Sequence, residues 1–171
     1  LITLVGNCIG INTAAILIKQ TRIGDKLIEV ATPIVDTKLT DSYTSLFILA
    51  IFCGMLMFIA VATFKLQPNI LGAIAVFLCV SVFIMAGFEH CIANMYYITA
   101  GLLAKCNPKY VELAMQTYGF SKEYLGTLNI ANYLITNLLP VTIGNIIGGA
   151  FCVGAPVYYL NCDKKLQTKK S

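Results

Sequence analysis

Glu89 and His90 are adjacent ionisable residues near the middle of an apolar stretch, Ile70 to Leu103, that contains no other Asp, Glu, Lys, Arg or His. Charge is costly at membrane depth, so such a pair is the default functional site of an apolar chain. The imidazole is the side chain whose charge changes most readily near neutral pH, which suits His90 to a role in a polar pathway. A carboxylate beside an interrupted helix accepts freed N–H groups, which suits Glu89 to holding a loop. The plainer alternative is that both side chains only hydrogen-bond broken helix ends.

Other chemistries find fewer residues. One His and the absence of any CxxC pair leave no metal site to predict, and no cofactor is expected. An enzyme needs a nucleophile, a metal or an acid–base pair at one depth, and a lone Glu-His without a partner Asp, Ser or second His is a thin basis for one, so no enzyme is expected. Seven cysteines are an odd count, and Cys8, Cys53, Cys79, Cys91 and Cys152 lie in apolar runs. They read as small core residues rather than bridges.

The elements that must position Glu89 and His90 follow from composition. Of 171 residues 58% are hydrophobic and 12% charged, with a mean hydropathy of +0.79; a soluble domain carries about 25% charge. The chain therefore reads as an all-α integral membrane protein, with the bilayer as its main partner. Its excess charge of +4 gathers in the last residues rather than among aromatics, so nucleic acid is not implied.

Apolar runs near bilayer length predict spans at about 1–18, 45–64, 70–103 and 134–160 in a single membrane domain. The third is too long for one untilted helix and is broken near 87–91, with Gly87 and Glu89 expected to support the break. Bare backbone at membrane depth is tolerated only where protein buries it or water reaches it, so the break points to a cavity. The last run carries Asn137, Pro140 and Asn145 with Gly144, Gly148, Gly149 and Gly154, which lets backbones approach closely. The 19–44 connection reads as a loop, and 104–132 is long and polar enough to include a short surface helix.

Lys164, Lys165, Lys169 and Lys170 face Asp163 alone, which places the 161–171 tail in the cytoplasm and 19–44 and 104–132 outside. Gly6-Asn7-Cys8-Ile9-Gly10 recurs as Gly144-Asn145-Ile146-Ile147-Gly148. If the echo marks an inverted repeat, roughly 95 residues are expected ahead of Leu1.

Gly87-Phe88-Glu89-His90-Cys91-Ile92-Ala93-Asn94-Met95 resembles the GFEHSIANM signature of the formate/nitrite transporter family, and Asn137-Leu138-Leu139-Pro140-Val141-Thr142-Ile143-Gly144-Asn145 resembles that family's last-helix motif. The resemblance implies an aquaporin-like bundle of six spans in inverted halves, of which this chain resembles spans three to six, assembled as a homopentamer with one pore per subunit. It implies that His90 is the central pore histidine, Asn94 the Asn of the same motif, Phe83 a constriction residue, Lys38 a basic residue of the outer vestibule and Asn145 the last-helix Asn. The bland alternatives are a solvated Lys38, a lipid-facing or core Phe83, and asparagines that tie helices together. Formate channels of the family show Cys-Asn where this chain has Cys53-Gly54, a feature that resembles the hydrosulfide-channel branch.

The function so implied is a pore in the cell membrane for small monovalent weak-acid anions such as formate, nitrite or hydrosulfide, with protons as the coupled partner. An isolated charge cannot enter an apolar constriction unpaired. Desolvation raises the proton affinity of the anion, which passes as the neutral acid, while Lys38 focuses positive potential at the mouth. His90 then acts either as a neutral hydrogen-bond donor or as a proton relay. A neutral-solute channel of aquaporin type is the alternative from another class, although no Asn-Pro-Ala triplet occurs.

Overall fold

The computed structural model describes residues 2–168, and every element among them is helical. In order these are α1 (Ile2–Lys19), α2 (Gly24–Thr40), α3 (Tyr43–Leu66), α4 (Ile70–Met85), α5 (Cys91–Lys105), α6 (Pro108–Tyr118) and α7 (Lys122–Thr127). A last helical run covers Ile130–Cys162, wound as wide π turns over Tyr133–Leu138 and Ile147–Gly154 and continuing through Ala155–Thr168. Lys169 and Lys170 of the basic tail lie outside the described residues.

Among the described residues three helices are long and apolar enough to cross a membrane: Ile2–Lys19, Tyr43–Leu66 and Ile130–Cys162. The remaining apolar run is divided, with α4 spanning 16 residues and α5 15 on either side of a non-helical stretch at 86–90. Local chemistry sets these boundaries. Pro68 cannot continue α3, and the Asn69 side chain accepts from the N–H groups of Leu71 (3.0 Å) and Gly72 (3.3 Å) to open α4. Asn107 opens α6 in the same way, with Pro108 at the first helical position and Gly119 (φ 68°) closing it.

The 19–44 connection departs from the expected loop, since 17 of its residues form α2. Its charges had masked an amphipathic helix: Asp25, Lys26 and Glu29 are exposed, while Val35 is 2% exposed. Between 104 and 132 the chain forms α6 and α7, more helix than the single short one expected.

By internal packing the chain divides into two units, Leu1–Leu46 with Cys91–Pro140, and Phe47–His90 with Val141–Ser171. In the first, α1 and α2 pack on α5. Its core gathers Met95, Ile98 and Tyr133, with Cys8, Ile11, Leu39 and Leu138 against them. Gly101 lets α5 approach α2 closely, because a Cβ there would lie 2.6 Å from Val35 Cγ2.

In the second unit α3 meets the last helical run backbone to backbone. A Cβ on Gly148 would lie 1.9 Å from the carbonyl oxygen of Ile51, one on Gly54 2.2 Å from that of Asn145, and one on Gly144 2.6 Å from Ala50 Cβ. Where helices associate within lipid, small residues of this kind supply the contact. Cys53 and Cys91 are buried and Cys152 is exposed.

Candidate functional site

The helix break in the second unit is built from its own hydrogen bonds. After α4, Gly87 N–H donates to Ile84 O (3.2 Å) and Phe88 N–H to Phe83 O (3.0 Å), the paired bonds of a Schellman turn. The turn needs a left-handed residue, and Gly87 supplies it at φ 68°. Reversing the chain brings the His90 ring to 5.5 Å from that of Phe83, tilted by 32°, and the Phe88 ring to 5.9 Å from that of Phe52, stacked at 25°. His90 and Phe83 are both half-buried and Glu89 is 5% exposed.

Asn145 ties this break to two backbones. Its Nδ2 donates to the carbonyl oxygens of Glu89 and Ala50, each at 2.8 Å. A backbone carbonyl freed by a helix break needs a donor when water is excluded, and Asn145 provides one at Glu89 while also fastening α3. The described contact at Glu89 thus runs through its main chain. Phe83, His90, Gly87, Glu89 and Asn145 are brought together in this unit.

Lys38 and Asn94 belong to the first unit. Asn94, fully buried on α5, donates from Nδ2 to Asn137 Oδ1 at 2.8 Å. Asn137, also fully buried, donates from Nδ2 to the carbonyl oxygen of Lys38 at 2.9 Å. Lys38 is half-buried in the last turn of α2. A second polar tie in this unit joins α1 to α5: Thr99 Oγ1 donates to Asn12 Oδ1 at 2.6 Å.

Sequence reasoning placed Asn137 in a motif but gave it no task of its own. The signal was present, since a fully amide side chain in an apolar run must find partners. Phe52, which stacks on Phe88, was also missed, and a phenylalanine in an apolar helix carries no such signal. Among the described residues no three His, Cys, Asp or Glu side chains gather as a metal cluster.

Outside the apolar spans, two tyrosines clasp α2. Tyr110 of α6 donates to Asp25 and Tyr124 of α7 to Asp36. Burial, and then Asp25, push the Tyr110 hydroxyl up to about 12. Burial and Asp36 raise Tyr124 as well. The Tyr110 hydrogen bond holds the Asp25 carboxyl below its ordinary value, assisted by Lys109 at 3.5 Å.

Apolar helices long enough to span a bilayer, beside an apolar run interrupted at an imidazole, define an integral membrane protein. The profile of the family described as formate/nitrite transporter matches residues 1–159. The chain is 30% identical over 126 residues to the formate channel FocA of Haemophilus influenzae, covering 72% of this chain and 43% of that protein. It is 28% identical over 169 residues to the formate-nitrite transporter of Plasmodium vivax, covering 93% and 48%. A solved structure, a pentameric formate channel with formate bound, superposes with a TM-score of 0.72 at 28% identity over 93% of this chain and 62% of that one. This chain belongs to the formate/nitrite transporter family. It spans under half the length of these two curated relatives, which are named for transport and not for catalysis.

Proposed function

We propose that the protein forms a pore for small monovalent weak-acid anions of the formate and nitrite class, with proton-linked passage past His90. The observation that carries this reading is the imidazole at a helix break, 5.5 Å from the Phe83 ring, in a family whose relatives include formate channels. An anion entering apolar surroundings loses its hydration and gains proton affinity, so the neutral acid is the species that crosses. Lys38 draws the anion to the outer mouth by its positive potential. His90 serves the substrate as a neutral hydrogen-bond donor midway, since an unpaired charge there is costly, and the proton comes ultimately from bulk water. Phe83 belongs to the constriction, and Asn94 and Asn145 hold polar backbone and side-chain groups beside the path.

The architecture proposed with it is an aquaporin-like bundle of six spans in inverted halves, to which this chain contributes spans three to six. The spans lie at about 1–18, 45–64, 70–103 and 134–160, in a plasma-membrane homopentamer with a cytoplasmic C-terminus. The pentameric neighbour and the positive tail support these two assignments. Cys53-Gly54 favours hydrosulfide as the second candidate anion.

The test is uptake of formate, nitrite and hydrosulfide into proteoliposomes over a pH series, with the intact protein and a His90→Asn variant. Flux that rises toward acid pH and changes in the variant is the expected result, and the preferred anion decides between the two branches. Flux of water or glycerol without any anion overturns the reading.

A further inference from the structure

Asn137 is fully buried and bridges two residues that the proposed pore uses. Its orientation is fixed by chemistry: the Lys38 carbonyl only accepts, so the Asn137 nitrogen must face it, which turns Oδ1 toward the Asn94 amide. The last carbonyls of a helix have no intrahelical donor. In α2 the Thr37 carbonyl accepts from Asp41 N–H. Ser42 N–H, four residues past Lys38, donates to Asp41 Oδ1 at 2.7 Å. The Lys38 carbonyl accepts from another helix, from Asn137 Nδ2 at 2.9 Å.

The backbone around Asn137 is itself unusual. Tyr133–Leu138 forms a π turn, in which Leu139 N–H reaches back to Leu134 O, and Pro140 follows with no N–H to offer the preceding turn. A π turn carries an extra residue and re-aims the side chains on it, and such turns concentrate at functional sites. We propose that Asn137 is a positioning residue that clamps the last turn of α2, and with it Lys38, in register with Asn94 on α5. The inference rests on the pore reading of Lys38 and Asn94 given above. It assigns Asn137 no contact with the anion.

The test compares the intact protein with Asn137→Ala, Lys38→Ala and the double variant, reading formate uptake against concentration in proteoliposomes. A clamp on Lys38 predicts that Asn137→Ala raises the half-saturating formate concentration about tenfold, with maximal flux per folded protein unchanged. The double variant then matches Lys38→Ala alone, because the two act as one unit. Loss of maximal flux at unchanged half-saturation, or effects that multiply in the double variant, overturns the proposal. Asn137→Asp guards against a misfolded alanine variant: it keeps size and the acceptor for Asn94 but sets an oxygen against the Lys38 carbonyl, and the same shift is expected. Amide hydrogen exchange gives a readout that needs no transport, with faster exchange expected in the last turn of α2. A wild-type protein that conducts, with variants unchanged in both half-saturation and exchange, fails this inference alone. A wild-type protein that carries no anion fails the pore reading and takes the role of Asn137 in it down too.

Discussion

The rings of Phe83 and His90 lie 5.5 Å apart and tilted by 32°, although seven positions separate them in the chain. The relationship exists because Gly87 turns the chain back at the end of α4. It gives the imidazole an apolar wall on one side.

Replacing Phe83 by Ala removes that wall. Water is expected to enter beside His90, so formate flux loses its steep dependence on pH while water permeability rises severalfold. Phe83→Leu keeps an apolar side chain and is expected to fall between. Stopped-flow light scattering and formate uptake read both quantities, and unchanged profiles in the alanine variant would remove Phe83 from the constriction.

Asn145 makes a prediction about stability rather than flux. Its amide serves two carbonyls, those of Ala50 and Glu89. Asn145→Leu leaves both acceptors without this donor, and a buried acceptor left unmade costs about 1–3 kcal/mol. The expected loss is on the order of 2 kcal/mol or more, seen as a lower unfolding temperature in detergent. A variant as stable as the parent would mean that the Glu89 carbonyl is satisfied without Asn145.

Much of this was legible in the sequence because it depends on residue type. Gly87, beside Glu89 and His90, announced the break in a largely apolar run. The α2 helix was not legible, because Asp25, Glu29, Asp36 and Lys38 look like loop charges until Val35 is seen packed at Gly101. Nor was the role of Asn137. An amide declares that it needs partners but not which ones, and its acceptor at Lys38 lies 99 positions away. The family motifs supplied direction that periodicity alone does not.

Gly54 separates two opposed effects of a methyl group. In a helix interior Gly→Ala ordinarily gains about 1 kcal/mol, and Gly126→Ala on α7, where a Cβ meets nothing within 4 Å, is expected to be neutral or stabilising. At Gly54 the same methyl would sit 2.2 Å from the carbonyl oxygen of Asn145 and 2.8 Å from its Cα. Backbone atoms cannot yield as a side chain can, so Gly54→Ala is expected to destabilise by roughly 1–3 kcal/mol despite its helix propensity. Thermal unfolding of the two variants side by side checks the sign of each.

The tyrosine clasp on α2 sets a pH window. Asp25 has a lowered folded value, so its contribution is present above the ordinary carboxylate range and is lost as pH falls through and below about 4. Tyr110 has a raised one, so its contribution is complete below about pH 10 and is lost as pH rises toward about 12. The α2–α6 tie is therefore intact between those limits. The chain has nine tyrosines and no tryptophan, so tyrosinate absorbance is unobstructed. In a spectrophotometric titration of the folded protein Tyr110→Phe is expected to remove a step near pH 12, and Tyr124→Phe one that is also delayed beyond the ordinary tyrosine range. A Tyr110→Phe variant that instead removes a step near pH 10 would show that the hydroxyl is neither buried nor bound to Asp25 in solution.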